Sequence, residues 1–168
     1  MRMSEHKTWV QALIAGVGAG LVIALLAMMQ QWQQLWLVAP FGATAVILFA
    51  LPDSPLAKAK NVILGHLLAA LIGLVFVHSF GLVVWSLAIS VGLAIGLMVL
   101  WKITHPPAGA TTLLIMLTAP DWWFLFNPVL TGSVLMVLVA HYYHQSHRKG
   151  HQHLVKRKAA AANTKVED

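Results

Sequence analysis

The sequence predicts an all-α membrane protein: a polytopic helical bundle of six transmembrane segments, arranged as two inverted three-helix repeats with both termini cytoplasmic. Three observations predict it. Hydrophobic residues make up 59% of the 168 positions and charged residues only 10%, a balance that leaves a soluble fold unable to cover itself with polar groups. Several apolar stretches approach the roughly 20 residues that a helix needs to cross a bilayer. One short pattern also occurs twice, 67 positions apart: Pro40-Phe41-Gly42-Ala43-Thr44 and Pro107-Ala108-Gly109-Ala110-Thr111.

Each segment has its own justification. Inside hydrocarbon the backbone must satisfy its own hydrogen bonds, so only helices or a closed barrel can span. The stretches are long and carry no alternating polar residues, which excludes a barrel. The six segments are read at 9–29, 35–51, 61–78, 82–101, 103–119 and 127–144. The first follows a short lead containing Arg2 and Lys7. It is too long for a signal-peptide core and lacks a small-x-small cleavage site, so it is read as a mature helix. Pro52, Pro55, Pro106, Pro107, Pro120 and Pro128 lie at predicted ends, where a missing backbone donor is tolerated. Pro40 is the exception, since it falls inside the second stretch.

Lysine and arginine stay preferentially on the cytoplasmic side. Alternating six spans from a cytoplasmic N-terminus puts Arg2, Lys7, Lys58, Lys60, Lys102 and the basic tail there, which accounts for all 11 basic residues. Re-entrant Pro-Gly loops would instead translocate Lys58, Lys60 and Lys102. The tryptophans agree with the spanning arrangement. Trp9 and Trp101 fall at the inner boundary, and Trp32, Trp36, Trp85, Trp122 and Trp123 at the outer one, as an interfacial residue should. The domain reading is a lead at 1–8, one repeat at 9–78, a second at 82–144 and a basic, His-rich, disordered tail at 145–168.

Three segments per half is an odd number, so the second half must be inverted relative to the first. The opening helices carry Gly16 and Gly20, and Gly92 and Gly96; glycines four apart let helix backbones approach closely. The third segment has Gly65, Ala69 and Gly73 at the same spacing, whereas its partner has Met136 beyond Gly132. Asn61 and Asn127 begin their helices and are read as caps. Asp53 and Asp121, beside prolines, are read as turn or cap residues.

Repeated Pro/Gly-interrupted segments in matching halves are a pointer to a transport site. The second and fifth segments are the shortest, and each carries Pro-x-Gly-Ala-Thr at its start. Such a start is expected to leave unpaired N–H groups that attract anions, glycine permits close approach, and Thr44 and Thr111 add hydroxyls. No carboxylate lies in the spans, and Lys58, Lys60, Lys102 and His105 would make the inner mouth electropositive. The expected substrate pathway is therefore Pro40, Gly42, Thr44, His66, His105, Pro107, Gly109 and Thr111. For the threonines the plainer role is a backbone hydrogen bond within the helix. His66, whose counterpart is Ser133, is an ionisable group inside a span. It can carry a proton alongside an anion, or sit neutral and bonded to a neighbouring helix.

At His105-Pro106-Pro107-Ala108-Gly109-Ala110-Thr111 the chain resembles the HPP family of integral membrane proteins. Pro40 to Thr44, Ser54-Pro55-Leu56-Ala57, Asn61 and Gly65-His66 are similar to other motifs of that family, while Ala59 stands where many relatives are expected to have proline. The resemblance covers residues 9 to 144 and implies a compact helical membrane domain. It also implies a link to nitrite movement, known for some plant and cyanobacterial relatives.

The expected function is a channel or secondary transporter for a small inorganic anion, with nitrite the ion the resemblance suggests. The alternative is a non-transporting membrane scaffold or accessory subunit. No nucleophile, acidic pair or metal cage is visible in the spans, so an enzyme is not expected, nor a cofactor. The chain has no cysteine, which removes thiolate chemistry. The net charge of +6 sits at one membrane face, so the expected partners are the lipid bilayer and the anion, with no nucleic acid. A unit this small is compatible with a homo-oligomer. His141, His144, His147, His151 and His153 stand among cations, so the tail is read as touching anionic lipid rather than holding a specific metal. The expected location is the cell membrane, the inner one in a Gram-negative bacterium, and the lead is not expected to be a chloroplast transit peptide.

Overall fold

The computed structural model describes residues 5–29 and 38–146. Within them lie six principal helices and no strand: α1 (Glu5–Met29), α2 (Val38–Ala50), α3 (Ala59–Phe80), α4 (Val84–Leu100), α5 (Pro106–Thr118) and α6 (Trp122–Ser146). The sequence reading placed a helix at each of these six positions. Three stretches, Trp9–Met28, Ala59–Phe80 and Trp122–Ser146, are long and apolar enough to cross a membrane. By contrast, α2 and α5 have 13 residues each. At 1.5 Å per residue they extend only about 20 Å, well short of a hydrocarbon core of about 30 Å. The readings of Trp32, Trp36, Arg2 and the tail from residue 147 fall outside the described residues.

The breaks follow from local chemistry. Gly81 closes α3 at φ 70°, returning its N–H to the Val77 carbonyl. Lys102, at φ 55°, turns the chain between α4 and α5. Proline disfavours the helical region for the residue before it, and His105 before Pro106 is accordingly extended at φ −136°, ψ 100°. Asp121 behaves as expected of a cap: its carboxylate accepts from the Trp123 N–H at 2.8 Å. Within α6 the first turns are broken at Asn127, whose φ/ψ of −132°/112° is not helical.

Two helix pairs place the site. α5 runs alongside α3 in the same direction: a Cβ on Gly65 would meet that of Ala108 at 3.5 Å, and one on Gly73 would meet Ile115 at 3.0 Å. α2 runs alongside α6 in the same direction, with Gly132 packed on the Phe41 ring and the His144 Nε2–H donating to the Leu48 carbonyl at 2.9 Å. In the repeated pattern Gly65 matches Gly132, and Ala108 matches Phe41. The two contacts therefore join equivalent positions. The His105 imidazole reaches the Leu56 carbonyl, and the His78 Nε2–H donates to the Pro120 carbonyl at 2.9 Å. Lys58 and Lys102 consequently lie at one end of the bundle, with Gly81 and Asp121 at the other.

Two packing expectations are corrected. Gly16, Gly20, Gly92 and Gly96 do not seat helices within this chain: all four are exposed, and a Cβ on any of them would meet nothing within 4 Å. α1 uses Gly18 instead, packed on Phe49 and Tyr143. α4 turns Ser86, Ser90, Ala94 and Met98 inward. The third predicted stripe, Gly65, Ala69 and Gly73, is buried against α5. Nor is Asn61 a cap, whereas Asn127 has the extended backbone of one, just before Pro128. Lys58 holds the N-cap position of α3, and Asn61 ties two loops together through its Nδ2, donating to Pro55 O at 3.2 Å and Thr104 O at 3.1 Å. Asn127 accepts from the Thr131 hydroxyl at 3.1 Å.

Candidate functional site

Four side chains from α2, α3 and the entrance to α5 form one polar cluster in a largely apolar interior. Thr44, His66, His105 and Thr111 are each fully buried. Thr44 lies in the second turn of α2, where its Oγ1 is 3.1 Å from the Pro40 carbonyl, one helical turn back. The same oxygen is 2.9 Å from His66 Nε2 and 2.9 Å from His105 Nε2. On the other side of the His66 ring, Nδ1 is 2.8 Å from Thr111 Oγ1. His105 Nδ1 is 3.1 Å from the Leu56 carbonyl. The two threonines of the repeated motif thus bond opposite nitrogens of a single imidazole.

The surroundings fix these rings. Phe41 packs edge-on against His66, centroids 5.0 Å apart with planes at 90°, and the two imidazoles stand 5.1 Å apart at 62°. A Cβ on Gly65 would lie 3.0 Å from the Cβ of His105, so glycine there allows the α5 entrance to reach α3. Pro106 fixes the extended backbone of His105, which turns its ring toward the bundle rather than along the helix. Asn61, through Pro55 and Thr104, holds the segments on either side of that ring. Thr112, next to Thr111, donates to the Ala69 carbonyl at 3.0 Å and locks α5 onto α3.

Among the eight positions expected on the pathway, Thr44, His66, His105 and Thr111 come together, and Pro40 contributes its carbonyl. Pro107 is buried at the start of α5. The two glycines border open space. A Cβ on Gly42 would meet nothing within 4 Å, and one on Gly109 only Ile95 at 3.9 Å. Neither glycine is pressed against a neighbouring backbone.

The crown of free amides expected at the start of α5 is also absent. Pro106 and Pro107 have no N–H to offer, and the Ala108 N–H donates to the His105 carbonyl at 3.0 Å. The polarity of the site comes from side chains. Sequence reasoning missed Asn61 and the Leu56 carbonyl as parts of the site. The Ser54-Pro55-Leu56-Ala57 motif was the available signal, since its Ser54 side chain caps the turn at Leu56 N–H, 3.2 Å away.

Two surface grooves are apolar and do not include these residues. One runs along α6 beside Leu135, Leu138 and Tyr142, and the other lies between α3 and the start of α6, beside Leu64, Leu68 and Phe126. Among the described residues, no three potential metal ligands gather. His144, part of the tail reading, already serves the Leu48 carbonyl.

Comparison with known proteins adds relatives. The sequence model of the family described as "HPP, transmembrane region" matches residues 4–152. Two curated proteins of Dictyostelium discoideum, each named as a transmembrane protein, are similar to the chain. One is 40% identical over 114 residues, covering 62% of this chain and 39% of its own length. The other is 38% identical over 132 residues, covering 71% and 42%. The chain thus spans about two fifths of the length of the curated relatives it matches. No solved structure matches.

Proposed function

The chain belongs to the HPP transmembrane family, and from that premise we propose that it is a membrane channel or secondary transporter for a small inorganic anion, with nitrite the first ion to test. The observation that carries this reading is the meeting of Thr44 and Thr111 on one imidazole, at 2.9 and 2.8 Å. Two short helices that bring polar groups to a common centre are the construction expected of a transport site. An ionisable group at that depth is a functional candidate by default. The described buried polar residues include no carboxylate, which favours an anion over a cation.

The arrangement proposed with it is six spans in a cell membrane, both termini cytoplasmic, built as two inverted repeats. Its support is the reciprocal packing of Gly65 on Ala108 and Gly132 on Phe41, in which each half lends its third helix to the short helix of the other. The protein is proposed to act by moving a solute rather than by chemical conversion. One observation favours the second reading, a non-transporting scaffold: all four polar side chains are fully buried, as in a sealed bundle. Under the transport reading this is the occluded conformation of a gated path.

Anion uptake into proteoliposomes tests the choice. Nitrite, nitrate, formate and chloride are supplied in turn. Thr44→Val and Thr111→Val are expected to lower uptake at least about tenfold, a loss of about 1.4 kcal/mol of barrier stabilisation. Absence of uptake for all four ions by the unmodified protein would leave the scaffold standing.

A further inference from the structure

The hydrogen bonds of the buried cluster fix where its protons must be. A carbonyl oxygen only accepts, so His105 Nδ1, 3.1 Å from Leu56 O, must carry a hydrogen. In a neutral His105 the other nitrogen, Nε2, is then an acceptor. Its partner at 2.9 Å is Thr44 Oγ1, which must donate. With its one proton used, Thr44 can only accept from His66 Nε2 at 2.9 Å, so that nitrogen carries the hydrogen. His66 Nδ1 is therefore bare and accepts from the Thr111 hydroxyl at 2.8 Å. The neutral cluster is a one-way chain running from Thr111 through His66, Thr44 and His105 to the Leu56 carbonyl. Its two histidines are opposite tautomers.

The same atoms accommodate one additional proton without leaving any group unpaired. When a proton from water bonds to His105 Nε2, that nitrogen becomes a donor to Thr44. The Thr44 hydroxyl hydrogen turns to its other neighbour, the Pro40 carbonyl at 3.1 Å. Its oxygen then accepts from both imidazoles, and His66 and Thr111 keep their roles. The O–H bond of the hydronium that delivers the proton breaks as the N–H bond forms and water departs. No bond within the protein breaks, and the net charge of the cluster rises by one. His66 cannot take the proton on these terms. Its Nδ1 would become a donor to Thr111, and the Thr111 hydroxyl makes no other hydrogen bond within the described residues. Thr44 has two outlets for its hydrogen and Thr111 has one.

We infer that the Thr44–His66–His105–Thr111 cluster is a proton-binding site, with His105 as the group that takes up the proton, Thr44 as the hydroxyl that redirects, and the proton travelling with the anion. The coupling to an anion rests on the transport reading above. A charged His105 stands at the N-cap of α5, the end of a helix that is itself positive. The titratable group facing it from α3 is His66. α2 presents Thr44 and no charge, and the turn before α3 presents the Leu56 carbonyl. Lys58 at the N-cap of α3, Lys60 in its first turn, Lys102 before α5, and Asp53 are exposed. Among the described buried residues no carboxylate faces the imidazolium, so the balancing negative charge is assigned to the solute. By linkage, the anion raises proton affinity by the factor with which the proton raises anion affinity.

Nitrogen NMR of histidine-labelled full-length protein in lipid nanodiscs tests the proton site without any anion present, with His105→Gln and His66→Gln used to assign the signals. The expected result is Nδ1–H on neutral His105, Nε2–H on neutral His66, and a second N–H appearing on His105 before His66 as the pH is lowered. The same tautomer on both rings, protonation of His66 first, or no protonation of either overturns the site. In proteoliposomes, a one-unit inside-alkaline pH gradient is expected to accumulate nitrate about tenfold, the free energy of one proton per anion being about 1.4 kcal/mol. Thr44→Ser should retain this accumulation and Thr44→Val abolish it. Uptake indifferent to the gradient overturns the coupling and leaves the anion pathway intact. The NMR pattern without uptake of any of the four anions keeps the proton site and removes the transport reading.

Discussion

Replacing Thr44 with valine keeps the shape of the side chain but removes the oxygen that two buried imidazole nitrogens share. Each orphaned buried polar group costs about 1–3 kcal/mol, so Thr44→Val should lower the thermal unfolding midpoint in detergent. Thr44→Ser, which loses only a methyl group, should cost no more than about 1.5 kcal/mol. Equal midpoints for the two variants would count against a satisfied buried network. At this scale the sequence was informative about candidates but not about partners. Both threonines stood out because the motif repeats, and His66 because an ionisable group interrupts an apolar run. That they share one ring depends on contacts between positions 22 and 45 residues apart, which no local pattern encodes. Asn61 was misjudged for a local reason: asparagine ahead of an apolar run is a cap signature, whereas here Lys58 takes that place and the amide bridges two loops.

Among the helices, glycine divides into two kinds that spacing alone cannot separate. Gly65 and Gly132 are covered by a neighbouring helix, whereas Gly16 and Gly92 face outward with free space. An added methyl at the first pair overpacks a filled contact, which typically costs about 1–3 kcal/mol. At the second pair, alanine removes the entropic weakness of glycine and should be neutral or stabilising by about 0.5–1 kcal/mol. The prediction is that Gly65→Ala and Gly132→Ala lower the unfolding midpoint while Gly16→Ala and Gly92→Ala do not. A fall in all four midpoints would mean that the outward faces are covered in the working protein. The sequence could not assign the faces because these helices are apolar all round. An amphipathic stripe normally reveals which side is buried, and lipid removes it. Helix positions were easier to read, since proline, glycine and turn residues mark ends whatever the solvent.

For the molecule as a whole, the contacts place Lys58 and Lys102 at one end and the turns after Gly81 and at Asp121 at the other. Because the chain has no cysteine, single cysteines report sidedness without background. Lys58→Cys and Lys102→Cys should react with a membrane-impermeant thiol reagent from the same side, and Leu82→Cys and Asp121→Cys from the opposite one. Under the proposed arrangement the lysine side is the cytoplasmic one. Labelling of Lys58→Cys and Lys102→Cys from different sides would be incompatible with the packing of α5 on α3. The class of fold and the shortness of α2 and α5 were both visible in composition and punctuation. The way each half reaches into the other was not, since it lies in the pairing of Gly65 with Ala108 and of Gly132 with Phe41.

That pairing also carries an inequality. Phe41 and Ala108 hold matching places in the two motifs, yet one sets an aromatic ring edge-on to His66 and the other offers only a methyl group. The first half thereby furnishes a partition and a swivelling hydroxyl, while the second furnishes the imidazole at a helix mouth and the terminal hydroxyl. The two copies of the motif divide the labour, and their likeness in sequence is no guide to what either one does.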